Sequence, residues 1–267
     1  LHVLIISFVF LLAPTAQVVS YAGELEDAKE EVRKNPDDEQ AHFNLGVVYG
    51  ESGMYKEAIE SFKQVIRIDP DNANTHYNLG LAYYELGKYQ EAIESYRQAI
   101  GIDPDHADAH GNLGLAYKKS GNHKKAIESY KQAIRINPED AGAHNNLGYA
   151  YDELGKYEEA IKSYKQVIRI DPDDEQAHFY LGLAYGESGK YEEAIESFKQ
   201  AIRLDPDYTL AHSGLGAAYS KSGKYQEAIE PFKQAIRIKP DYADAHYFLG
   251  LAYFTLGMDK EAIEPFK

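Results

Sequence analysis

The sequence has no cysteine and no tryptophan, and only 2 methionines among its 267 residues. Without cysteine the chain can form no disulfide, no thiolate zinc site and no thiol nucleophile, so these chemistries are excluded. Cysteine-free proteins occur in oxidising and in reducing compartments alike. The absence therefore does not indicate a location.

Positive charge is scarce as well. The chain has 28 Lys and Arg against 43 Asp and Glu, which gives a formal net charge of −15 at pH 7 and a pI near 5.1. Proteins that bind nucleic acid neutralise phosphates with a basic surface, and no basic stripe is present here. We therefore expect no nucleic-acid partner.

Catalytic motifs are also missing from the sequence. It contains no glycine-rich phosphate loop between a strand and a helix, and no serine nucleophile with a placed base. The recurring carboxylates are explained by exposure to solvent. The sequence predicts a protein that is not an enzyme and that has no cofactor.

What the chain does contain is a single unit that recurs every 34 residues without a slip. In each unit a Tyr follows a marker glycine after three residues and an Ala follows it after twelve, and a Pro closes six of the junctions. Such a period is typical of arrays of one supersecondary unit. The marker glycines are Gly46, Gly80, Gly114, Gly148, Gly182, Gly216 and Gly250.

Each unit predicts two antiparallel helices. Apolar residues such as Leu45 recur at helical spacing in the first helix, and Gly53 follows as a left-handed stop. The second helix ends before Pro70, because the residue ahead of a proline is pushed out of the α region. We expect Gly46 and Ala58 where the two helices approach most closely. Neither helix buries its apolar face alone, so the units stack into an all-α array without a sheet.

This pattern resembles the tetratricopeptide repeat, whose signature is a Leu-Gly, a Tyr, a central Ala, an aromatic residue and a closing Pro at a 34-residue period. The resemblance covers residues 39 to 267, as six complete repeats and a truncated seventh. It implies a right-handed superhelical solenoid of about fifteen helices that presents a concave groove to protein partners. One departure is systematic, since every unit has a His, from His42 to His246, where the family commonly has a Trp.

The histidines and the acidic turns could suggest metal sites. Successive histidines belong to successive helix pairs, which lie ~10 Å apart and cannot share a ~2 Å metal shell. We therefore interpret the histidines as core residues. The turns, such as Asp69 to Asp71 and Asp171 to Asp174, lack the Gly and the distal Glu of a calcium loop, so helix capping is the better interpretation.

The first 38 residues differ from the repeats. Residues 1 to 22 form an apolar segment that resembles a signal peptide or an anchor, with an uncharged run from Leu1 to Ala13. It predicts a protein that is exported to the periplasm or the exterior, or anchored to a membrane, with membrane contact confined to residues 1 to 20. Residues 23 to 38 predict a degenerate half-repeat whose helix, residues 24 to 34, caps the array, because Pro36 stands 34 residues before Pro70.

The exposed side of the first helices carries the candidate binding site. It presents a row of amides beside a row of apolar side chains, which suits an extended peptide that needs backbone partners and side-chain pockets. The amide row is similar to the asparagine ladder of the O-linked N-acetylglucosamine transferase repeat domain, although a solvated consensus position explains it equally well. The two rows are Asn44, Asn78, Asn112 and Asn146, and Val47, Leu81, Leu115, Tyr149 and Leu183.

The function hypotheses follow from these surfaces. The first is a non-catalytic scaffold that binds extended segments of partner proteins in its groove. Ligands with acidic ends are disfavoured, because the groove lacks the Lys and Arg of a carboxylate clamp. A second hypothesis is a structural subunit that polymerises head to tail through its ends, since Lys267 falls in the middle of a predicted helix. A remote third is the repeat portion of a larger transferase.

Overall fold

A computed structural model describes residues 15–263 and 265, without the side chains of residues 15–22. Over these residues the chain is all-α, with fifteen helices and no strand, as the repeat pattern predicts. The helices are α1 (Thr15–Lys34), α2 (Glu39–Glu51), α3 (Tyr55–Ile68), α4 (Ala73–Glu85), α5 (Tyr89–Ile102), α6 (Ala107–Lys119), α7 (His123–Ile136), α8 (Ala141–Asp152), α9 (Tyr157–Ile170), α10 (Glu175–Glu187), α11 (Tyr191–Leu204), α12 (Thr209–Lys221), α13 (Tyr225–Ile238), α14 (Ala243–Thr255) and α15 (Asp259–Ile263).

The chain divides into two compact units, the first ending at Asn146 and the second beginning at Leu147, so the boundary falls within α8. From α2 onward, even-numbered helices are the first helices of the repeats and odd-numbered helices are the second. Within each unit, a first helix packs against the second helix of its own repeat, as α4 does against α5 and α12 against α13. Each second helix also packs against the first helix that follows it, as α5 does against α6 and α11 against α12.

A glycine turn ends each first helix. Gly53 has φ +73°, a left-handed conformation that an L side chain rarely adopts. After this turn the amide of Met54 donates to the carbonyl of Tyr49 at 2.8 Å, which closes the end of α2. The same positive φ recurs in the other six repeats, at Gly87, Gly121, Gly155, Gly189, Gly223 and Gly257. The predicted left-handed stop is therefore confirmed.

The marker glycines lie against an aromatic ring of the second helix. A Cβ added to Gly46 would lie 2.6 Å from Cε1 of Phe62, and one added to Gly80 would lie 2.6 Å from Cε1 of Tyr96. Ala58 is fully buried in the same core. The close approach predicted at Gly46 and Ala58 is thus present. Its reason at Gly46 is the space that the neighbouring ring needs.

The repeated histidine joins each first helix to the turn before it. In all seven repeats its Nε2–H donates to the carbonyl oxygen of the proline six residues earlier, as in His42 to Pro36 at 2.9 Å and His212 to Pro206 at 2.9 Å. His144 and His212 are buried and the other five are partly exposed. Core packing was therefore an incomplete interpretation. The histidine also holds the junction between repeats through a hydrogen bond.

The acidic turns cap helices. Asp174 accepts a hydrogen bond from the amide of Ala177 at 2.8 Å at the start of α10, and Asp69 accepts one from the amide of Asp71 at 3.1 Å. These bonds satisfy backbone donors that a helix start or a turn leaves unpaired. In the described part of the chain, no group of three His, Asp or Glu is arranged to hold a metal ion.

Helix α1 is longer than the predicted cap. It ends at Lys34, where the sequence predicts the end, but it begins at Thr15, so the proposed division between residues 22 and 23 lies inside a helix. Among the residues described, no helix combines the length and the apolar character needed to cross a membrane. Residues 1–14, which hold the run from Leu1 to Ala13, and Lys267 lie outside the described residues. The predictions made for them stay predictions.

Candidate functional site

Three of the predicted groove residues line one cleft in the first unit. Asn112 and Leu115 lie on α6 and Asn146 lies on α8, the first helices of neighbouring repeats. The rest of the amide row, Asn44 and Asn78, lies on α2 and α4 and is at least partly exposed, and Val47 and Leu81 are half-buried beside it. The cleft is also lined by Asp108, Gly111, Asp140 and Gly142.

The amide groups of this row are partly engaged within the chain. Nδ2 of Asn112 donates to the hydroxyl of Tyr77 and to the carbonyl of Asp108, both at 3.1 Å. Nδ2 of Asn78 donates to the carbonyl of Asn74 at 2.8 Å. Among the described residues, the side-chain oxygens of Asn78 and Asn112 have no partner. Asn78 and Asn112 therefore offer acceptors to a ligand N–H more readily than donors, whereas the side-chain oxygen of Asn44 already accepts from Gln40 at 2.8 Å.

Tyr77 lies where two repeats meet in the first unit. Its ring centroid is 6.0 Å from that of Tyr96, in its own repeat, and 4.8 Å from that of His106, in the next. Burial raises the pKa of Tyr77 to about 12, the charge of Asp108 adds to the rise, and the hydrogen bond from Asn112 opposes it. The phenol therefore stays protonated at neutral pH. Its oxygen accepts the hydrogen bond from Asn112.

The same face of the second unit is aromatic. Tyr149 and Leu183 are each 39% exposed, so both predicted residues are available to a ligand. Tyr180 takes the place that asparagine holds in the first four repeats. Its ring lies 6.4 Å from Tyr149, edge to face, and 5.8 Å from Tyr164, in a stacked arrangement. This surface therefore favours apolar or aromatic ligand side chains.

A partly buried carboxyl lies beneath this aromatic surface. Asp152 accepts a hydrogen bond from the hydroxyl of Tyr164 at 2.7 Å. Burial raises the pKa of Asp152 to about 6, against the opposing effect of the Tyr164 bond and with a contribution from the charge of Glu187. Sequence reasoning missed this pair. The available signal was Asp152 itself, the one acidic residue at this position in the seven repeats, opposite a Tyr in the second helix.

Comparison with known families identifies the repeat. The model of the tetratricopeptide repeats in the C-terminal domain of cilia and flagella-associated protein 70 matches residues 13–214 and 70–267. The chain belongs to the tetratricopeptide repeat family. Its two overlapping matches show that the similarity lies in the repeat itself. Membership of this family supports a protein-interaction scaffold.

Solved structures agree with this assignment. A crystal structure of MamA is 31% identical over 63% of this chain and 92% of its own, with a TM-score of 0.60. YrrB, described as a TPR protein with an unusual peptide-binding site, is 23% identical over 70% of this chain and 96% of its own, with a TM-score of 0.64. The C-terminal part of a TPR repeat-containing protein from Cytophaga hutchinsonii has a TM-score of 0.75 at 19% identity and covers 87% of this chain and 96% of its own. No curated protein matches the sequence.

Proposed function

We propose that this tetratricopeptide repeat protein is a scaffold that binds extended segments of partner proteins along its first helices. The observation that carries the proposal is the cleft between α6 and α8, where Asn112, Leu115 and Asn146 lie together. Two amides and one apolar side chain at one site suit a peptide, which needs backbone partners and a place for alternate side chains.

Three further features support the same proposal. The unpaired side-chain oxygens of Asn78 and Asn112 can accept N–H groups of an extended backbone. In the second unit, Tyr149 and Leu183 expose apolar surface on the corresponding face. YrrB, which shares the fold, is described as having a peptide-binding site. The asparagine ladder of the transferase repeat domain remains a resemblance of the row alone.

The experiment replaces Asn78, Asn112 and Asn146 together by Ala and measures binding to an array of extended peptides of varied sequence. We expect weaker binding. Asn78→Ala and Asn146→Ala should change the free energy of unfolding by only ~0.5 kcal/mol each. Asn112→Ala also removes the bond to Tyr77 and should cost about 0.5 to 1.5 kcal/mol. The matched control replaces the exposed Gln98 and Gln132 of the second helices by Ala. Unchanged binding in the triple variant contradicts the proposal. It would show that the asparagines occupy a solvated consensus position.

Self-association is a second candidate, and the surface of α14 favours it. Tyr247 is 56% exposed and Phe254 is 64% exposed. At the position of Tyr247 in the fifth repeat, Phe179 is only 7% exposed, and its ring centroid lies 5.1 Å from that of Tyr208 in the next repeat. A second copy that covers α14 in this way would give a head-to-tail contact, which propagates if it does not close.

Sedimentation at several protein concentrations tests the second candidate. Tyr247→Ser and Phe254→Ser are suitable variants, because Ser213 and Ser220 hold the same positions in the sixth repeat. We expect association in the parent chain and its loss in the double variant. A monomer at every concentration eliminates this candidate. Export or anchoring through residues 1 to 22, and the transferase alternative, stay predictions.

A further inference from the structure

The chain contains its own example of an aromatic side chain lodged between two repeats. Tyr77 projects from α4 to the junction with the next repeat, where it meets the rings of Tyr96 and His106. Its hydroxyl accepts a hydrogen bond from Asn112, on the next first helix, at 3.1 Å. Phe179 fills the equivalent space in the fifth repeat, with its ring 5.8 Å from Phe198. The junction between repeats is therefore a place that suits a ring.

In the third repeat no side chain occupies the equivalent space. Gly111 stands at the position of Tyr77, and a Cβ added to it would meet no atom within 4 Å. A shift of 34 residues carries the surroundings of Tyr77 onto the next junction, so His106 becomes Asp140, Asp108 becomes Gly142 and Asn112 becomes Asn146. All three of these residues line the cleft between α6 and α8, together with Gly111.

We infer that this cleft binds a tyrosine side chain of the partner segment, with the ring over Gly111 and the hydroxyl bonded to the side-chain amide of Asn146. The inference rests on the proposed function and names the side chain that the groove selects. It follows from the equivalent pair inside the chain, in which Asn112 bonds the hydroxyl of Tyr77.

Tyrosine fits the cleft better than phenylalanine or lysine. The amide of Asn146 has no hydrogen-bond partner among the residues that the structure describes, and a phenol oxygen can accept from it as Tyr77 accepts from Asn112. Gly142 in place of Asp108 removes a side chain and a charge from beside the ring. Asp108 and Asp140 remain at the rim, so a cationic side chain is the competing occupant.

The first test titrates the isotopically labelled protein with N-acetyltyrosinamide, N-acetylphenylalaninamide and N-acetyllysinamide, and follows the amide signals of Gly111, Gly142 and Asn146 by NMR. We expect the tyrosine compound to shift these signals and to bind roughly 2- to 10-fold more tightly than the phenylalanine compound, the factor that one hydrogen bond supplies. Tighter binding of the lysine compound, or no shift with the tyrosine compound, overturns the inference.

The second test places a tyrosine side chain of the protein itself in the cleft. Gly111→Tyr reproduces the residue of the second repeat and replaces a glycine within a helix, so the variant is expected to fold. It should abolish binding of N-acetyltyrosinamide. Gly101→Tyr places the same side chain at an exposed site on α5 and should leave binding unchanged. Asn146→Ala should bind the tyrosine and phenylalanine compounds equally, and a preserved tyrosine preference overturns the role of Asn146.

The two proposals fail in different ways. If peptides from the array bind the parent chain and Gly111→Tyr equally, the tyrosine site is wrong and the groove is retained. If no extended peptide binds at all, the proposed function is wrong. The titration with N-acetyltyrosinamide then still decides whether the cleft between α6 and α8 accepts a phenol.

Discussion

The hydroxyl of Tyr164 donates to Oδ2 of Asp152 at 2.7 Å, and this bond joins the second helix of the fourth repeat to its first helix. Four other repeats have Phe at the position of Tyr164, and there the position of Asp152 holds Gly50, Gly186, Ser220 or Phe254. The pair is particular to the fourth repeat, because in the second repeat the position of Asp152 holds Tyr84 and the buried hydroxyl of Tyr96 has no hydrogen-bond partner among the described residues. Because burial dominates, the carboxyl has a pKa of about 6, above its ordinary value of 3.8.

The raised pKa of Asp152 predicts a defined pH dependence of stability. Above pH 6 the folded protein buries a charge, whereas between about 6 and 3.8 it binds a proton that the unfolded chain does not. Acidification through this window therefore stabilises the folded state, and the gain levels off below 3.8. Asp152→Asn keeps an acceptor for Tyr164 and carries no charge. We expect this variant to be more stable than the parent at neutral pH, with a difference that shrinks on acidification.

Urea unfolding at several pH values measures this difference between parent and variant. Glu227→Gln, at an exposed carboxyl of α13, is the control and should show no such convergence. A constant difference between Asp152→Asn and the parent across the window contradicts the raised pKa. A variant that is less stable at neutral pH would show that the charge on Asp152 strengthens the bond from Tyr164 by more than burial costs.

The bond between the repeated histidine and proline supplies a second prediction. His212 is 7% exposed, and its Nε2–H donates to the carbonyl of Pro206 at 2.9 Å. His212→Ala leaves that carbonyl without its donor, so the free energy of unfolding should fall by about 1 to 3 kcal/mol. His246→Ala removes the same bond at a more exposed site and should cost less, because water replaces the donor.

His212→Phe separates packing from hydrogen bonding at this position, since it keeps a ring and removes the donor. Chemical denaturation of the three variants gives the comparison. If His212→Phe is as stable as the parent, the histidine acts by packing alone, and the systematic histidine needs no hydrogen-bond explanation.

Much of the fold could be predicted because local signals agree with one another at every repeat. Gly53 ends α2, Pro70 follows the end of α3, and the 34-residue period fixes how often this happens. The exception is α1, which continues through Ser20 and Gly23, residue types typical of helix ends, before the predicted helix at residues 24 to 34. The local signals there indicate a boundary that the helix does not have, so the sequence places its start too late.

The site was less predictable, because it depends on differences between repeats. Helical geometry identifies Asn112, Leu115 and Asn146 as neighbours on one face, and the structure places them in one cleft. The predicted rows consist of side chains that recur from repeat to repeat. The cleft, in contrast, exists because Gly111 and Gly142 lack the side chains that other repeats have at these positions. Hydrogen bonds such as that from Asn112 to Tyr77 depend on side-chain orientations that a spacing does not define.

Two glycines one turn apart in α10 provide a matched stability test. A Cβ on Gly182 would lie 2.8 Å from the ring of Phe198, which Gly214 also approaches from the next repeat, whereas a Cβ on Gly186 meets no atom within 4 Å. Gly182→Ala should destabilise the protein by about 1 to 3 kcal/mol, because the ring cannot move away. Gly186→Ala should stabilise it by about 0.5 to 1 kcal/mol. Thermal unfolding of both variants checks the opposite signs.

Pro231 lies inside α13, which is 14 residues long like α11, so the proline does not end the helix. At the corresponding position in α11, Ser197 donates its hydroxyl to the carbonyl of Glu193 at 2.9 Å. Proline supplies neither this hydroxyl nor a backbone N–H, and in a helix interior it costs about 3 kcal/mol. Pro231→Ser should therefore raise the free energy of unfolding, by up to about 3 kcal/mol.

The reciprocal change, Ser197→Pro, should lower stability by a similar amount, since the two helices are otherwise closely related in sequence and extent. Urea unfolding of each variant measures both effects, and helical content from circular dichroism checks that neither helix is lost. If Ser197→Pro is costly and Pro231→Ser gains nothing, the sixth repeat has adapted to its proline through the surrounding core. If both are neutral, the second helices tolerate a missing backbone donor at this position.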